Sequence, residues 1–183
     1  RLAFAALVIS QAVMVMVMAM TPLHMEDHGH SKGWIGAVIS AHTAGMFAFA
    51  PIAGRISDGI GRVQTIVLAG FTLVGATAFT ALAGDAPRGL LFPGLFLLGL
   101  GWSFGVVAGS ALLTESVAES DRVAVQGAAD LATNVASGIG ALTAGIVVSS
   151  AGYHFLSLIG MAAAGALMAQ SWFENRLAGA HPD

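Results

Sequence analysis

Six apolar runs, each about as long as a membrane crossing, divide this chain, and nearly all of its charge lies in the gaps between them. A membrane-spanning helix needs about 20 predominantly apolar residues. The runs cover approximately residues 2–22, 34–54, 63–84, 89–113, 125–149 and 153–173. Charged residues gather at His24 to Lys32, Arg55 to Arg62, Asp85 to Arg88, Glu115 to Arg122 and from Glu174 onward. Asp130 is the exception, and the gap from Ser149 to Gly152 is short and uncharged. In hydrocarbon every backbone polar group must be satisfied internally, so only helices and closed barrels span. Barrel strands are about 10 residues long and alternate strictly; these runs are longer and solidly apolar. The pattern predicts an all-α polytopic membrane protein, a bundle of six transmembrane helices forming a single repeat over residues 1–183.

Composition points the same way. Only 9% of residues are charged and 56% are hydrophobic, whereas soluble domains carry about 25% charged residues. With the lipid bilayer as solvent, outward-facing apolar side chains are no conflict. The net charge is -3, and the seven Lys and Arg are scattered singly, which argues against nucleic acid as a partner. The absence of cysteine removes disulfides, thiolate metal sites and Cys nucleophiles. There is no G-x-S-x-G, no H-E-x-x-H and no P-loop lysine, so neither an enzyme nor an ATP-driven pump is expected, and no cofactor is. The first run, Leu2 to Met20, is too long for a signal h-region and no small-x-small cleavage site follows it. The start at Arg1 is read as a cut from a longer chain.

Alternation of the spans places Arg1, Arg55, Arg62, Arg122 and Arg176 on one side and Lys32 and Arg88 on the other. By the positive-inside rule both termini are cytoplasmic. Trp34, Tyr153 and Trp172 fall at run ends, where amphipathic aromatics anchor. Gly101, Gly105 and Gly109 recur every four residues in the fourth run, near Gly94 and Gly99; Gly140 with Ala144 and Ala141 with Gly145 repeat the pattern in the fifth. Small residues at this spacing let helices approach closely in lipid.

The segment from Gly54 to Arg62 carries the sharpest motif: Gly54-Arg55-Ile56-Ser57-Asp58-Gly59-Ile60-Gly61-Arg62. Gly54 is read as a site of close helix approach, and Gly59 and Gly61 as turn residues able to take positive φ. Asp58 is a candidate cap for exposed N–H groups, and Arg62 a cation for an acid of another loop. This resembles the loop signature of the major facilitator superfamily, G-x-x-x-D-x-x-G-R followed by a basic residue. Gly54, Asp58, Gly61 and Arg62 match; Val63 departs, standing where a second basic residue is usual. In that family the signature lies between helices two and three, with a weaker copy between helices eight and nine. The resemblance implies half of a twelve-helix fold. The departure at Val63, the lack of a G-P dipeptide in the fifth run and the short tail point to the C-terminal half. It also implies secondary transport of a small-molecule substrate, with the other six-helix half as partner and a proton or other coupling ion as driver. Glu115 and Glu119, after the fourth run, are the natural partners of Arg55 and Arg62 in a charge network that latches one state of the transporter.

Polar residues inside spans are functional candidates by default. Asp130, Asn134 and Ser137 share one helical face at i, i+4, i+7, bordered by Thr133. Asp130 is read either as a coupling carboxylate or substrate contact, or as an interfacial acid that pairs with Arg122 or caps the helix. Gln11 and His42 stand mid-way along the first and second runs. His42 suits proton movement or a packed, hydrogen-bonded role. Trp102 lies within the fourth run and either lines a cavity or packs the core. His24, His28 and His30 beside Glu26 and Asp27 offer metal-ligand types, yet their spacing matches no closed site, and no metal is assigned. Met14, Met16, Met18 and Met20 alternate, which on a helix throws them to opposite sides, so they form no single ligand face. The leading reading is a proton-coupled efflux transporter in a prokaryotic inner membrane. The competing one is a self-contained six-helix module that dimerises for a structural or channel role.

Overall fold

The computed structural model describes residues 1–83 and 89–179; Asp85, Arg88 and the tail from Ala180 to Asp183 lie outside the described residues. The described chain is helical throughout, with no strand among the described residues. Its elements are α1 (Leu2–Asp27), α2 (Lys32–Phe47), α3 (Ala50–Ile60), α4 (Arg62–Leu82), α5 (Leu91–Glu115), a single 3-10 turn (Glu119–Asp121) and α6 (Arg122–Gly179). Among the described residues five helical stretches are long and apolar enough to cross a membrane, the last being 59 residues, Glu119–Leu177.

Three boundaries differ from the expected runs. α1 continues through Pro22 to Asp27, so His24 and Asp27 sit on helix, not in a loop. The second run is divided at Phe47 to Ala50, where Ala48 and Phe49 separate α2 from α3. Pro51 follows at the first turn of α3, where a missing N–H costs nothing. The expected fifth and sixth spans are joined as α6, in which Gly152 alone is non-helical, at φ 83 and ψ 169. That backbone suits glycine because a Cβ would strain it. The contacts show that the chain doubles back there. Ser137 meets Gln11 of α1, Gly140 lies over Ala12 and Met16, and Tyr153 reaches Thr21. Past Gly152 the order reverses: Gly160 packs on Met16 and Val17, and Leu167 clusters with Leu2 and Ala6.

α5 is the hub, packed against α1, α2, α3 and α4, while α1 and α4 also hold the two arms of α6. Its glycines face different partners. A Cβ on Gly101 would meet Leu73 of α4, one on Gly105 would meet Ser10 of α1, and one on Gly99 would meet the His42 carbonyl of α2. They therefore do not form one bare face: glycine is spread around the helix because several neighbours press on it at once. The largest core cluster joins Met14, Met16, Val17, Leu73, Leu95, Leu98 and Leu156, and the alternating methionines serve as packing. Tyr153 is buried, with its hydroxyl 2.8 Å from the Thr21 hydroxyl, so it does not act as an interfacial anchor. Trp34 is half-buried and Trp172 exposed.

Candidate functional site

Two polar assemblies interrupt the apolar bundle. The first lies at the end where α3 passes into α4. Most of the Gly54 to Arg62 motif is helix, not loop: Gly54, Arg55, Ser57, Asp58 and Gly59 all belong to α3. Only Gly61 leaves helical geometry, at φ 102 and ψ 157, and it serves as the boundary of both helices. Gly59 is helical, and a Cβ on Gly54 would meet nothing within 4 Å, so neither performs the turn or close-approach task read from the sequence. Because the turn is one residue long, Asp58 and Arg62 remain neighbours across it. Arg62 donates to the carboxylate of Asp58, to the Ser57 hydroxyl at 3.2 Å, and to one carboxylate oxygen of Glu115 through Nε at 3.1 Å and a terminal nitrogen at 3.0 Å. One guanidinium thus ties the α3–α4 turn to the C-terminus of α5, using the geometry that suits arginine to carboxylates. Arg55 is exposed on α3, and Glu119 is exposed in the 3-10 turn; the structure brings neither into this cluster.

The exposed ends of this network are worth little as stability, but a cation shared by two acids can favour the arrangement in which they meet. If the cluster latches a transporter, as the sequence resemblance implies, Asp58→Asn is expected to cut transport by the complete protein severalfold while membrane insertion stays normal, as read by vesicle uptake beside the amount of protein in the membrane fraction. Normal uptake by that variant would remove the latch role.

The second assembly lies within the bundle. Trp102 Nε1 of α5 donates to Gln11 Oε1 of α1 at 2.6 Å, and Gln11 Nε2 donates to Ser137 Oγ of α6 at 3.0 Å. Ser137 in turn donates to the Thr133 carbonyl at 2.8 Å. Three helices are thereby joined through side chains, which suits a low-dielectric setting where unpaired polar atoms are costly. Beside this chain lies a cavity of about 240 Å³, lined by Gln11, Trp102, Ser110, Gln126, Asp130 and Asn134 among others. Asp130 Oδ1 accepts from Gln126 Nε2 at 2.9 Å, and Asn134 Nδ2 donates to the Asp130 carbonyl at 2.7 Å. Arg122 is occupied elsewhere, donating to the Thr114 carbonyl at 3.1 Å near the C-terminus of α5. Gln126 and Ser110 escaped the sequence reading. Gln126 lies one helical turn before Asp130 on the same face, so extending the i, i+4 stripe backwards would have found it.

The remaining candidates lie apart. His42 is buried, with Nδ1 3.0 Å from the Leu95 carbonyl, in the seam of α2 and α5 and away from the cavity. His24 stacks on Tyr153 at 4.3 Å between ring centroids and lies 4.2 Å from the His28 ring; His28 Nδ1 is 2.7 Å from the His24 carbonyl. His30 lines a separate depression with Trp34. Among the described residues no three His, Cys, Asp or Glu side chains form a group able to hold a metal ion.

Long apolar helices around a polar cavity that is open on the side of the exposed Asp130 and Asn134 suit an integral membrane protein. The family model of the Major Facilitator Superfamily matches residues 2–182, and the chain belongs to that family. It is 38% identical over 84% of its length to the Bacillus subtilis (strain 168) protein named "Uncharacterized MFS-type transporter YdeG", and 36% identical over 84% to "Uncharacterized MFS-type transporter YddS" of the same organism. It is 31% identical over 85% of its length to "Riboflavin transporter RfnT" of Brucella anthropi. The matches span 36%, 35% and 39% of those proteins respectively, so the chain corresponds to little more than a third of each relative's length.

Proposed function

We propose that this chain is one six-span repeat of a secondary active transporter that moves a small organic solute outward across a prokaryotic plasma membrane in exchange for protons. α1, α2 with α3, α4, α5 and the two arms of α6 supply the spans, with both termini cytoplasmic. The Val63 departure and the lack of a G-P dipeptide in the fifth run favour the C-terminal half, facing a second six-helix half. Family transporters of this kind work by rocking two halves about a midplane site.

The observation that carries the reading is the convergence of Gln11, Trp102, Asp130 and Asn134 from three helices on one cavity. Polar and ionisable groups are expensive in a bilayer and face a bundle interior or a water-filled path. The aromatic and amide groups suit a planar organic solute, and a carboxylate is the group there able to take and release a proton. Riboflavin, the solute in the name of one relative, is the first candidate of that class.

The test uses the chain's lack of cysteine. Asn134→Cys, placed in the complete transporter cleared of other thiols, is exposed to an impermeant thiol reagent from either face of sealed vesicles. Alternating access predicts modification from both faces, at rates that shift in opposite directions when a pH gradient is imposed. Modification from one face only, or from neither, would remove the cavity from the transport path.

A further inference from the structure

At the Arg62 end of the bundle, the outer surface between α4 and the second arm of α6 carries a groove of about 480 Å³ lined by Val67, Phe71, Met168, Ala169, Trp172 and Phe173. Three of its rings are bare: Phe71 is 68% exposed, Trp172 51% and Phe173 63%. The groove floor is fixed, because Gly70 lets the Met168 backbone approach so closely that a Cβ there would come within 2.9 Å of its Cα. The groove is therefore a built feature of the α4–α6 seam. One end is marked by charge. The Arg176 guanidinium lies 5.2 Å from the centre of the Trp172 ring, one helical turn beyond it, where cation and ring attract. The nearby carboxylate, Glu174, faces elsewhere: it lies about 200° around the helix from Trp172 and accepts from Gln170 at 3.3 Å. Val67 and Phe71 lie one to two turns past Arg62, the first residue of α4. Arg62 is held by Asp58 and Glu115, so the cation at the mouth of the apolar trough is Arg176.

We propose that this groove is a binding site for an anionic phospholipid, with an acyl chain lying along Phe71, Met168 and Phe173 and the phosphate at Arg176. The match is one of charge and depth. The trough offers an apolar bed at acyl depth, Trp172 has the amphipathic ring that sits at headgroup level, and the exposed Arg176 carries the kind of donors that a phosphodiester accepts. A neutral or zwitterionic lipid fills the trough but gains less from the cation.

The reconstituted complete transporter is placed in phosphatidylcholine vesicles holding a minor fraction of brominated phosphatidylglycerol or, separately, the same fraction of brominated phosphatidylcholine. Tryptophan quenching is compared between the unaltered protein and Trp172→Phe, and the difference isolates Trp172. One favourable cation near the surface predicts about a fivefold preference of the site for phosphatidylglycerol, weakened by salt and lost in Arg176→Gln. Equal quenching by the two lipids, or a preference that survives Arg176→Gln, overturns the site and leaves ordinary annular contact. Should Trp172→Phe fail to insert, total quenching of unaltered and Arg176→Gln protein is compared; the same loss of headgroup discrimination is required, and its absence overturns the site equally.

Discussion

Asp130→Asn abolishes gradient-driven accumulation while solute exchange across the membrane persists. This is the expected result if Asp130 carries the coupling proton. The substitution keeps the size of the side chain and an oxygen able to accept from Gln126 Nε2, which lies 2.9 Å from Asp130 Oδ1, but it removes the group that titrates. For one coupled proton, each unit of imposed pH gradient supports at most about a tenfold solute gradient, since a tenfold ratio corresponds to about 1.4 kcal/mol. The variant loses that factor entirely, because nothing on the cavity wall replaces the carboxylate. His42, the other titratable candidate within the spans, is buried in the α2–α5 seam against Leu95. Two vesicle measurements separate the readings: counterflow without a gradient, and accumulation with an imposed pH step. A structural acid predicts near-normal accumulation with a small loss of stability. Full accumulation by Asp130→Asn would take the residue out of the mechanism.

Gly99→Leu removes the folded protein from the membrane, or leaves it with a thermal transition in detergent far below that of the unaltered chain. A Cβ at Gly99 would sit 2.2 Å from the His42 carbonyl oxygen and 3.0 Å from the Met46 nitrogen. Both are backbone atoms of α2, so no rotamer change relieves the clash; the helices must separate. Gly45 meets the same limit from the other side, where a Cβ would come 2.5 Å from the Phe96 carbonyl oxygen. Overpacking a well-packed core typically costs about 1–3 kcal/mol. Forcing two backbones apart exceeds that, because it also uncovers the buried His42 and the apolar seam around it. Gly75→Leu is the control, since a Cβ there meets nothing within 4 Å. Equal melting temperatures for the two variants would show that the α2–α5 approach is not what holds these helices.

The lipid environment was legible because it is a sum over composition and run length, and neither needs a partner to be known. Helix content followed from the same runs, and the gap from Ser149 to Gly152 marked where α6 doubles back, although a polar loop does not separate its arms. The break between α2 and α3 was harder to see. Ala48 and Phe49 are as apolar as their neighbours, and Pro51 alone hinted at a new helical start. The Gly54 to Arg62 motif announced itself by residue type, yet its secondary structure was misread as a loop, because glycine and charge suggest turns when sequence alone is considered. A glycine supports a turn only where the backbone demands positive φ, and in this segment that is Gly61 alone.

Partner assignment belongs to the tertiary structure. Periodicity places Asp130, Asn134 and Ser137 on one stripe of their own helix, but the rotation of that helix about its axis is set by what packs against it. Only the assembled bundle puts Gln11 between Trp102 and Ser137, gives Gln126 to Asp130 and gives the Thr114 carbonyl to Arg122. Arg62 meets Glu115 because α4 and α5 lie side by side, while Glu119 falls one turn past the end of α5 and beyond that meeting. The amino-acid order determined the solvent, the helices and the kinds of chemistry available, all of which are local or additive. Which side chains meet across helices depends on azimuth and register between segments distant in sequence, and close packing against particular neighbours decides those.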